Sequence, residues 1–354
     1  MRAAVIEELG RPLEIRDVPV PACPPDGAIV RVGANGICRT DWALWAGDFW
    51  TGGPEITPPF VLGHEFAGTI EEVGRDVRGG WKPGDRVTFP MNPGEGTCEM
   101  CRAGDQHVCE HVDTLVPGVS YWGAFAEYVA VRHADVNLVA LPEPLGFVDA
   151  AGLACRYMTA FHGIVDQARV RGGEWVAVHG AGGGMGLSAV EIAAATGANV
   201  IAVDISDAKL AAARELGAVH AVNAASGDPA EAVRELTGGG AHVSVDAVGI
   251  ADACRASVLS LRNRGRHLQL GHTTRTERGE VALPIDVMMV RELEFLSAFG
   301  MQGQRFGTLL NMIEAGRLDP GRVVSRTVRL DEAGDVLRSM ATYDTLGVVV
   351  IDEF

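Results

Sequence analysis

The sequence predicts a two-domain α/β chain, with a β-rich, irregular amino-terminal part and a doubly wound parallel sheet behind it. Three observations carry this. At 354 residues the chain is about twice the length of an average domain. Through the first 150 residues, short β-branched or alternating runs recur between Gly, Pro and Asp clusters. From about Ala150, strand-like and helix-like segments alternate, as a parallel sheet with helical crossovers requires.

Taken in order, the early strand candidates are Ala3–Ile6, Ala28–Val32, Gly68–Val73, Arg86–Phe89 and Ala126–Val131. Turn clusters such as Pro24-Pro25-Asp26-Gly27 and Lys82-Pro83-Gly84-Asp85 separate them, and no helical period is sustained among them. Trp175–His179 then reads as a buried strand, Ser188–Thr196 as a helix and Val200–Asp204 as the next strand. Asp207–Leu216 follows as a helix with Ser206 at its N-cap and Gly217 ending it. A strand at Val243–Val245, a helix near Ala251–Leu261 and strands at His267–Leu270 and Leu293–Ala298 continue the alternation. One more helix, Phe306–Ala315, precedes β-like tails ending at Gly347–Ile351.

Composition narrows the function. Thirty Lys plus Arg against 46 Asp plus Glu give a net charge of −16, which disfavours a nucleic-acid surface. The acidic residues are interspersed and read as a solvated exterior. Met1–Val18 carries charges every few residues, unlike a signal peptide. The apolar stretch Trp175–Val203 is broken by glycines and Glu191, so no membrane span is expected. These features predict a cytoplasmic protein without membrane or nucleic-acid partners.

Residues 175–186 place Gly180, Gly182, Gly183, Gly184 and Gly186 between a strand and a helix. Residues without Cβ let backbone amides and a helix N-terminus approach a pyrophosphate. A strict GxGxxG is absent, and glycines alone could make only a tight turn. Asp204, 18 residues past Gly186 at the end of the next strand, stands where a carboxylate would hold an adenosine ribose diol. It would repel a 2′-phosphate, favouring NAD over NADP; the bland alternative is that it caps the following turn. Loop and acid together predict a dinucleotide site.

Seven cysteines, an odd number, argue against a simple disulfide framework. Cys98, Cys101 and Cys109 have knuckle spacing, with Gly96 and Gly104 at turns. A tetrahedral zinc needs a fourth ligand, and Glu95, three residues before Cys98, is the natural donor. Cys38, the His64-Glu65 pair and Cys155 are dispersed, and spacing does not bring them together. On their own the cysteines read first as small buried hydrophobes and His64 as a core histidine.

Gly63-His64-Glu65-x2-Gly68 with Val73-Gly74, Gly84-Asp85-Arg86-Val87, Cys38-x-Thr40-Asp41, the knuckle, the glycine loop and Asp204 occur in an order that resembles the zinc-containing alcohol dehydrogenases of the medium-chain dehydrogenase/reductase superfamily. The resemblance spans essentially the whole chain. It implies a GroES-like catalytic domain at 1–156 and 300–354, a Rossmann domain at 157–299, and a cleft between them. It implies two zinc ions per chain: a catalytic one held by Cys38, His64 and Cys155 with Glu65 as exchangeable ligand, and a structural one on Glu95, Cys98, Cys101 and Cys109. It further implies NAD, a small alcohol, aldehyde or ketone substrate, and a homo-oligomer, tetramer or dimer.

The same resemblance assigns Thr40 the first proton from the alcohol and Arg39 a place near the pyrophosphate. Lys209 becomes a second ribose contact, and Thr159, Met185, Val248 and Gly271 surround the nicotinamide. Two positions depart from the family. Ala43 stands where many members carry a proton-relaying His, so the relay must end in water or another group. Glu95 replaces the usual first knuckle Cys, as in some prokaryotic members. Trp42, Trp45, Phe49, Trp50, Tyr121 and Trp122 predict an apolar pocket wall and hence apolar or aromatic alcohols, against ordinary core packing. The competing readings are a zinc-free reductase or quinone oxidoreductase on the same fold, or a dinucleotide-binding protein without catalysis.

Overall fold

The computed structural model describes residues 1–49 and 55–354, so Trp50 lies outside the described residues. The chain divides into two compact units: residues 1–158, 300–314 and 319–354, and residues 159–299 with 315–318.

The first unit is built on the long strand Ala28–Ile37, buried at eight of its ten positions. It pairs antiparallel with Glu65–Val73, Tyr128–Val131 and Val348–Glu353. Arg86–Thr88 and Val139–Ala140 extend one side of this sheet, and Val324–Arg329 joins Val348–Glu353 in parallel on the other. A smaller antiparallel sheet, Glu14–Asp17, Arg2–Ile6 and Phe60–Val61, completes the unit's strands. Among the described residues, two apolar clusters lie within it. One gathers Ile37, Leu44, Leu62, Phe125 and Val349; the other gathers Val30, Phe66, Val87 and Val129.

The register of the central pair brings two distant segments together. Gly36 opposes Glu65, so the end of one strand, running into Cys38, lies beside the start of the other, preceded by His64. Two residues 26 positions apart thus meet through backbone pairing alone.

In the second unit a six-stranded sheet has the order Ala218–Asn223, Asn199–Asp204, Trp175–His179, Ala241–Asp246, Leu261–Gln269, Glu294–Ser297. All five pairings are parallel. The order reverses around Trp175–His179, which places ligand-binding loops at the carboxyl ends of the strands next to it. Helix Gly184–Ala195 begins within the glycine loop, earlier than the expected Ser188. It buries Leu187, Val190 and Ile192, and its Ser188 hydroxyl is satisfied by the Gly184 carbonyl.

Some elements carry no sequence signal. Strand Glu14–Asp17 is exposed at every residue and therefore shows no apolar alternation. Helix Arg39–Ala46 falls in the part expected to lack helical periodicity, because only Asp41, Leu44 and Trp45 of its eight residues are buried. Ser206 stands at the N-cap of helix Asp207–Glu215, but its side chain makes no capping bond. Among the described residues, no helix is long and apolar enough to cross a membrane.

Candidate metal centres and dinucleotide cradle

Cys38, His64, Glu65 and Cys155 converge in the first unit, each offering one ligand atom, all within 4.8 Å of one another. All four residues are buried. Asp41 organises the group: its carboxylate accepts from the backbone N–H groups of Cys38 (2.8 Å) and Gly63 (3.2 Å) and faces His64 Nδ1 at 3.1 Å. With Nδ1 donating to Asp41, Nε2 is left as the acceptor. That nitrogen is buried and has no hydrogen-bond partner. A carboxylate–imidazole pair that directs a bare nitrogen at two thiols is how proteins orient a metal-binding histidine.

The charges fit a cation as well. A hydrogen bond from Cys155 holds the Cys38 thiol well below its usual range against the effect of burial, helped by His64. The same bond, with burial, pushes Cys155 upward. Burial lifts the Glu65 carboxyl to about 8 despite the pull of Arg156. Glu65 Oε2 accepts from Arg156 Nε (3.1 Å) and Nη2, whereas Oε1 is buried without a partner. Two thiols, an imidazole nitrogen and a carboxylate oxygen form a donor set suited to zinc.

Sequence reasoning gave no role to Asp41, Arg156 or Met91, whose Sδ lies 3.1 Å from Cys155 Sγ. Asp41 could have been read from its position three residues after Cys38, where a helix-start carboxylate reaches back to the cap N–H. Arg156 and Met91 carry no such signal. Asp41→Asn removes the charge and keeps one of the two acceptor oxygens, so either the Cys38 N–H or the Gly63 and His64 side loses its acceptor. It is expected to weaken zinc at this centre by about 10–100-fold in chelator competition; an unchanged affinity would leave Asp41 a purely structural role.

Glu95, Cys98, Cys101 and Cys109 form the second cluster, again within 4.8 Å. Cys98 and Cys109 Sγ stand 3.7 Å apart. That matches the ~3.8 Å edge of a tetrahedron with zinc–sulfur bonds of about 2.3 Å. Gly96 and Gly104, both at φ +91°, turn the chain as the knuckle requires. Backbone N–H groups of Cys101 and His111 donate to the sulfurs of Cys98 and Cys109. The Thr97 hydroxyl and the backbone of Cys98 and Thr97 hold Glu95 down at about 2, an ionised carboxylate at the fourth corner. All seven cysteines are free thiols.

In the second unit Gly180 adopts φ +79°, and a Cβ on Gly186 would lie 2.0 Å from the Gly180 carbonyl oxygen. Only glycine permits that approach. Gly183, the N-cap of helix Gly184–Ala195, differs: a Cβ there would meet nothing closer than 3.8 Å. The protein itself does not require glycine at that point, but a ligand seated on the helix N-terminus would. Asp204 links loop to strand, accepting from the N–H groups of Gly182 (3.0 Å), Ile205 (2.8 Å) and Ser206 (3.3 Å). The turn-capping role is thus real, and it ties the carboxylate to the glycine loop. Lys209 packs its stem over Gly182, where a Cβ would stand 2.1 Å from Lys209 Cβ. Gly180 lies equally close to Val248, 2.3 Å from its Cγ2 by the same measure, and Gly271 abuts Val248 and Gly249. The dinucleotide fits this cradle.

Residues 24–143 match the family described as alcohol dehydrogenase GroES-like domain, and residues 184–315 match zinc-binding dehydrogenase. An NAD-dependent alcohol dehydrogenase of Sulfurisphaera tokodaii is 32% identical over 99% of both chains. The chain belongs to the zinc-type alcohol dehydrogenase family of the medium-chain dehydrogenases/reductases. An alcohol dehydrogenase of Geobacillus stearothermophilus is also 32% identical, over 99% of this chain and 98% of its own. The crystal structure of the alcohol dehydrogenase from Aeropyrum pernix superposes with a TM-score of 0.88 at 32% identity, covering 99% of this chain and all of the other. A GroES-like domain and a Rossmann-like parallel sheet are therefore the fold of this family member.

Other residues singled out in this alcohol dehydrogenase family chain have mixed placements. Arg39 lies between the rings of Trp42 (3.8 Å) and Tyr343 (3.9 Å) and donates to the Met340 carbonyl. Thr40 is half-buried in the same helical turn, and Thr159 is buried in the second unit. Of the aromatic group, Trp45 belongs to the core and not to a pocket wall: it is buried, and its indole N–H donates to the Arg11 carbonyl at 2.7 Å. Trp42, Phe49 and Trp122 are only partly buried against that core, whereas Tyr121 lies beneath the Arg132 guanidinium.

Proposed function

We propose that the Cys38, His64, Cys155 and Glu65 cluster is the catalytic centre of an NAD-dependent alcohol dehydrogenase, reversibly oxidising an alcohol to an aldehyde or ketone. The carrying observation is the buried, unpartnered Nε2 of His64 aimed by Asp41 at two converging thiols. A zinc ion bound there supplies Lewis acidity toward an alcohol or carbonyl oxygen.

The chain's own groups do the rest. Cys38, His64 and Cys155 would hold the metal, with Glu65, tethered by Arg156, as a fourth donor that substrate could exchange with. Thr40 takes the alcohol proton at its hydroxyl. Ala43, one turn along the same helix, offers no group to pass it on, so the proton leaves to water or to another group. Gly180, Gly182, Gly183, Gly184 and Gly186 seat the pyrophosphate, with Arg39 as its cation, and Met185 lies toward the nicotinamide. Asp204 and Lys209 hold the adenosine ribose, and Thr159, Val248 and Gly271 border the nicotinamide. Residues 1–156 and 300–354 act as the catalytic domain and 157–299 as the cofactor domain.

Glu95, Cys98, Cys101 and Cys109 hold a second, structural zinc in this reading, giving two per chain. Partly buried Trp42, Phe49 and Trp122 favour apolar or aromatic alcohols over polyols. A homo-oligomer is supported by Met289 and Val290, 70% and 76% exposed, near an edge strand whose Phe295 is also exposed. Sedimentation at the monomer mass would remove that part.

Initial rates with NAD and NADP across an alcohol panel, taken with a zinc-to-protein ratio, test the whole. The expected result is two zinc per chain, preference for NAD, and benzylic and medium-chain alcohols ahead of polyols. One zinc per chain would discard the Glu95 site, and faster turnover of polyols would discard the apolar pocket.

A further inference from the structure

A largely buried polar chain runs through the second unit near the carboxyl ends of its strands. It begins at the hydroxyls of Ser244 and Ser257, which face His267 Nδ1 at 3.2 and 3.1 Å. His267 Nε2 faces Gln269 Oε1 at 3.0 Å. Gln269 Nε2 donates to Asp246 Oδ2 (2.9 Å) and to the Gly271 carbonyl (2.8 Å). Asp246 Oδ1 accepts from the N–H groups of Val248 (2.8 Å) and Gly249 (3.1 Å).

The proton positions in this chain follow from its ends. Gln269 meets two acceptors on one side, so its NH2 must lie there and its carbonyl must face His267. His267 then carries its hydrogen on Nε2 and accepts a serine hydroxyl at Nδ1. Burial keeps the imidazole neutral, pushing it down to about 4. The Gln269 side chain consequently cannot flip without leaving three groups unpaired in a largely buried space, a costly arrangement.

What this rigid amide holds are two loops at the carboxyl ends of adjacent strands. The Asp246 carbonyl accepts from the N–H groups of both Leu270 and Gly271, at 2.9 Å each. The loops touch so closely that a Cβ on Gly249 would lie 1.9 Å from the His272 carbonyl oxygen. The Ala247 N–H donates to the His179 carbonyl, at the foot of the glycine loop. Asp246 and Gln269 therefore tie these two loops together, and Ala247 links them to the foot of the glycine loop.

We propose that Gln269 is a positioning residue for the nicotinamide half of the cofactor, acting through Asp246 and the Gly271 carbonyl on the backbone around Val248 and Gly271. This rests on the reading that Val248 and Gly271 border the nicotinamide. Gln269 does not itself touch the reacting atoms. With the amide in place, both loops present a fixed wall; without it, Asp246 Oδ2 and the Gly271 carbonyl lose their shared donor and the wall loosens.

The test compares two ligands on the same purified enzyme: NADH, and ADP-ribose, which lacks the nicotinamide. Gln269→Leu removes the amide at similar volume. It is expected to weaken NADH about tenfold, the scale of one charge-assisted hydrogen bond, with ADP-ribose within twofold of the unaltered enzyme. Asp246→Asn breaks the same link from the other side and carries the test if Gln269→Leu does not fold. The double variant should then be no weaker for NADH than the worse single one. Equal weakening of both ligands, or no change in either, would overturn the proposal. Failure of the unaltered enzyme to bind NADH more tightly than ADP-ribose would instead overturn the underlying assignment of Val248 and Gly271.

Discussion

Replacing His64 by Ala is expected to lower kcat/KM for alcohol oxidation by about three orders of magnitude or more. The reason is that the imidazole is the one nitrogen donor among the four converging ligands. A Lewis-acid contribution of several kcal/mol disappears with the metal, and each ~1.4 kcal/mol is tenfold in rate. The zinc-to-protein ratio should fall by one, because two thiols and a carboxylate already engaged by Arg156 do not retain the ion as tightly. NADH binding should survive, since the glycine loop, Asp204 and Lys209 all lie within residues 159–299. An enzyme that kept both its rate and its full zinc content after this change would refute the assignment of the centre. Loss of NADH binding along with activity would point to global damage.

Altering Asp204 should shift the choice of cofactor. In the structure its carboxylate is buried at the end of strand Asn199–Asp204 and holds the Gly182 N–H. Asp204→Asn removes the charge and keeps one acceptor oxygen, enough for the Gly182 N–H or for the Ile205 and Ser206 N–H groups but not for both. NAD should then bind about 10–100-fold more weakly, the range expected for losing a charge-assisted bond of ~1.5–3 kcal/mol to the ribose diol. NADP should improve at the same time, because the repulsion against a 2′-phosphate is gone. Asp204→Ala should be worse for both dinucleotides, since the glycine loop also loses its anchor. Kinetics with both cofactors separate these outcomes. A parallel loss for NAD and NADP in Asp204→Asn would mean that the carboxylate serves only the loop.

Legibility in the sequence tracked how local each signal is. The inner strands of the second unit could be read because each is a short apolar run bounded by turn residues, and Trp175–His179 matches to the residue, whereas the half-exposed Ala218–Asn223 and the polar first half of Leu261–Gln269 left no such signal. Helix Arg39–Ala46 and strand Glu14–Asp17 could not, since neither buries enough side chains to leave a period. The knuckle was legible for the same local reason: Glu95, Cys98, Cys101 and Cys109 crowd their donor atoms into one short segment, an arrangement that could hold a metal ion. The dispersed centre depended on family resemblance, and spacing alone left Cys38, His64 and Cys155 as core residues. Trp45 shows the opposite error. Clustering with other aromatics marked it as a pocket residue, while one hydrogen bond to Arg11 and an apolar surround make it core.

Sequence alone determined the division into a β-rich part and a parallel sheet, the glycine loop with its carboxylate, and the cysteine knuckle, because each is written in contiguous residues. Tertiary structure decided which atoms meet. Antiparallel register carries Cys38 beside His64, and Asp41 turns the imidazole toward the thiols. The pairing of Glu65 with Arg156 and the chain from Ser257 through Gln269 to Asp246 exist only once distant strands are packed side by side. Contacts of that kind depend on register and burial, and these are properties of the folded chain that no local pattern of residues encodes.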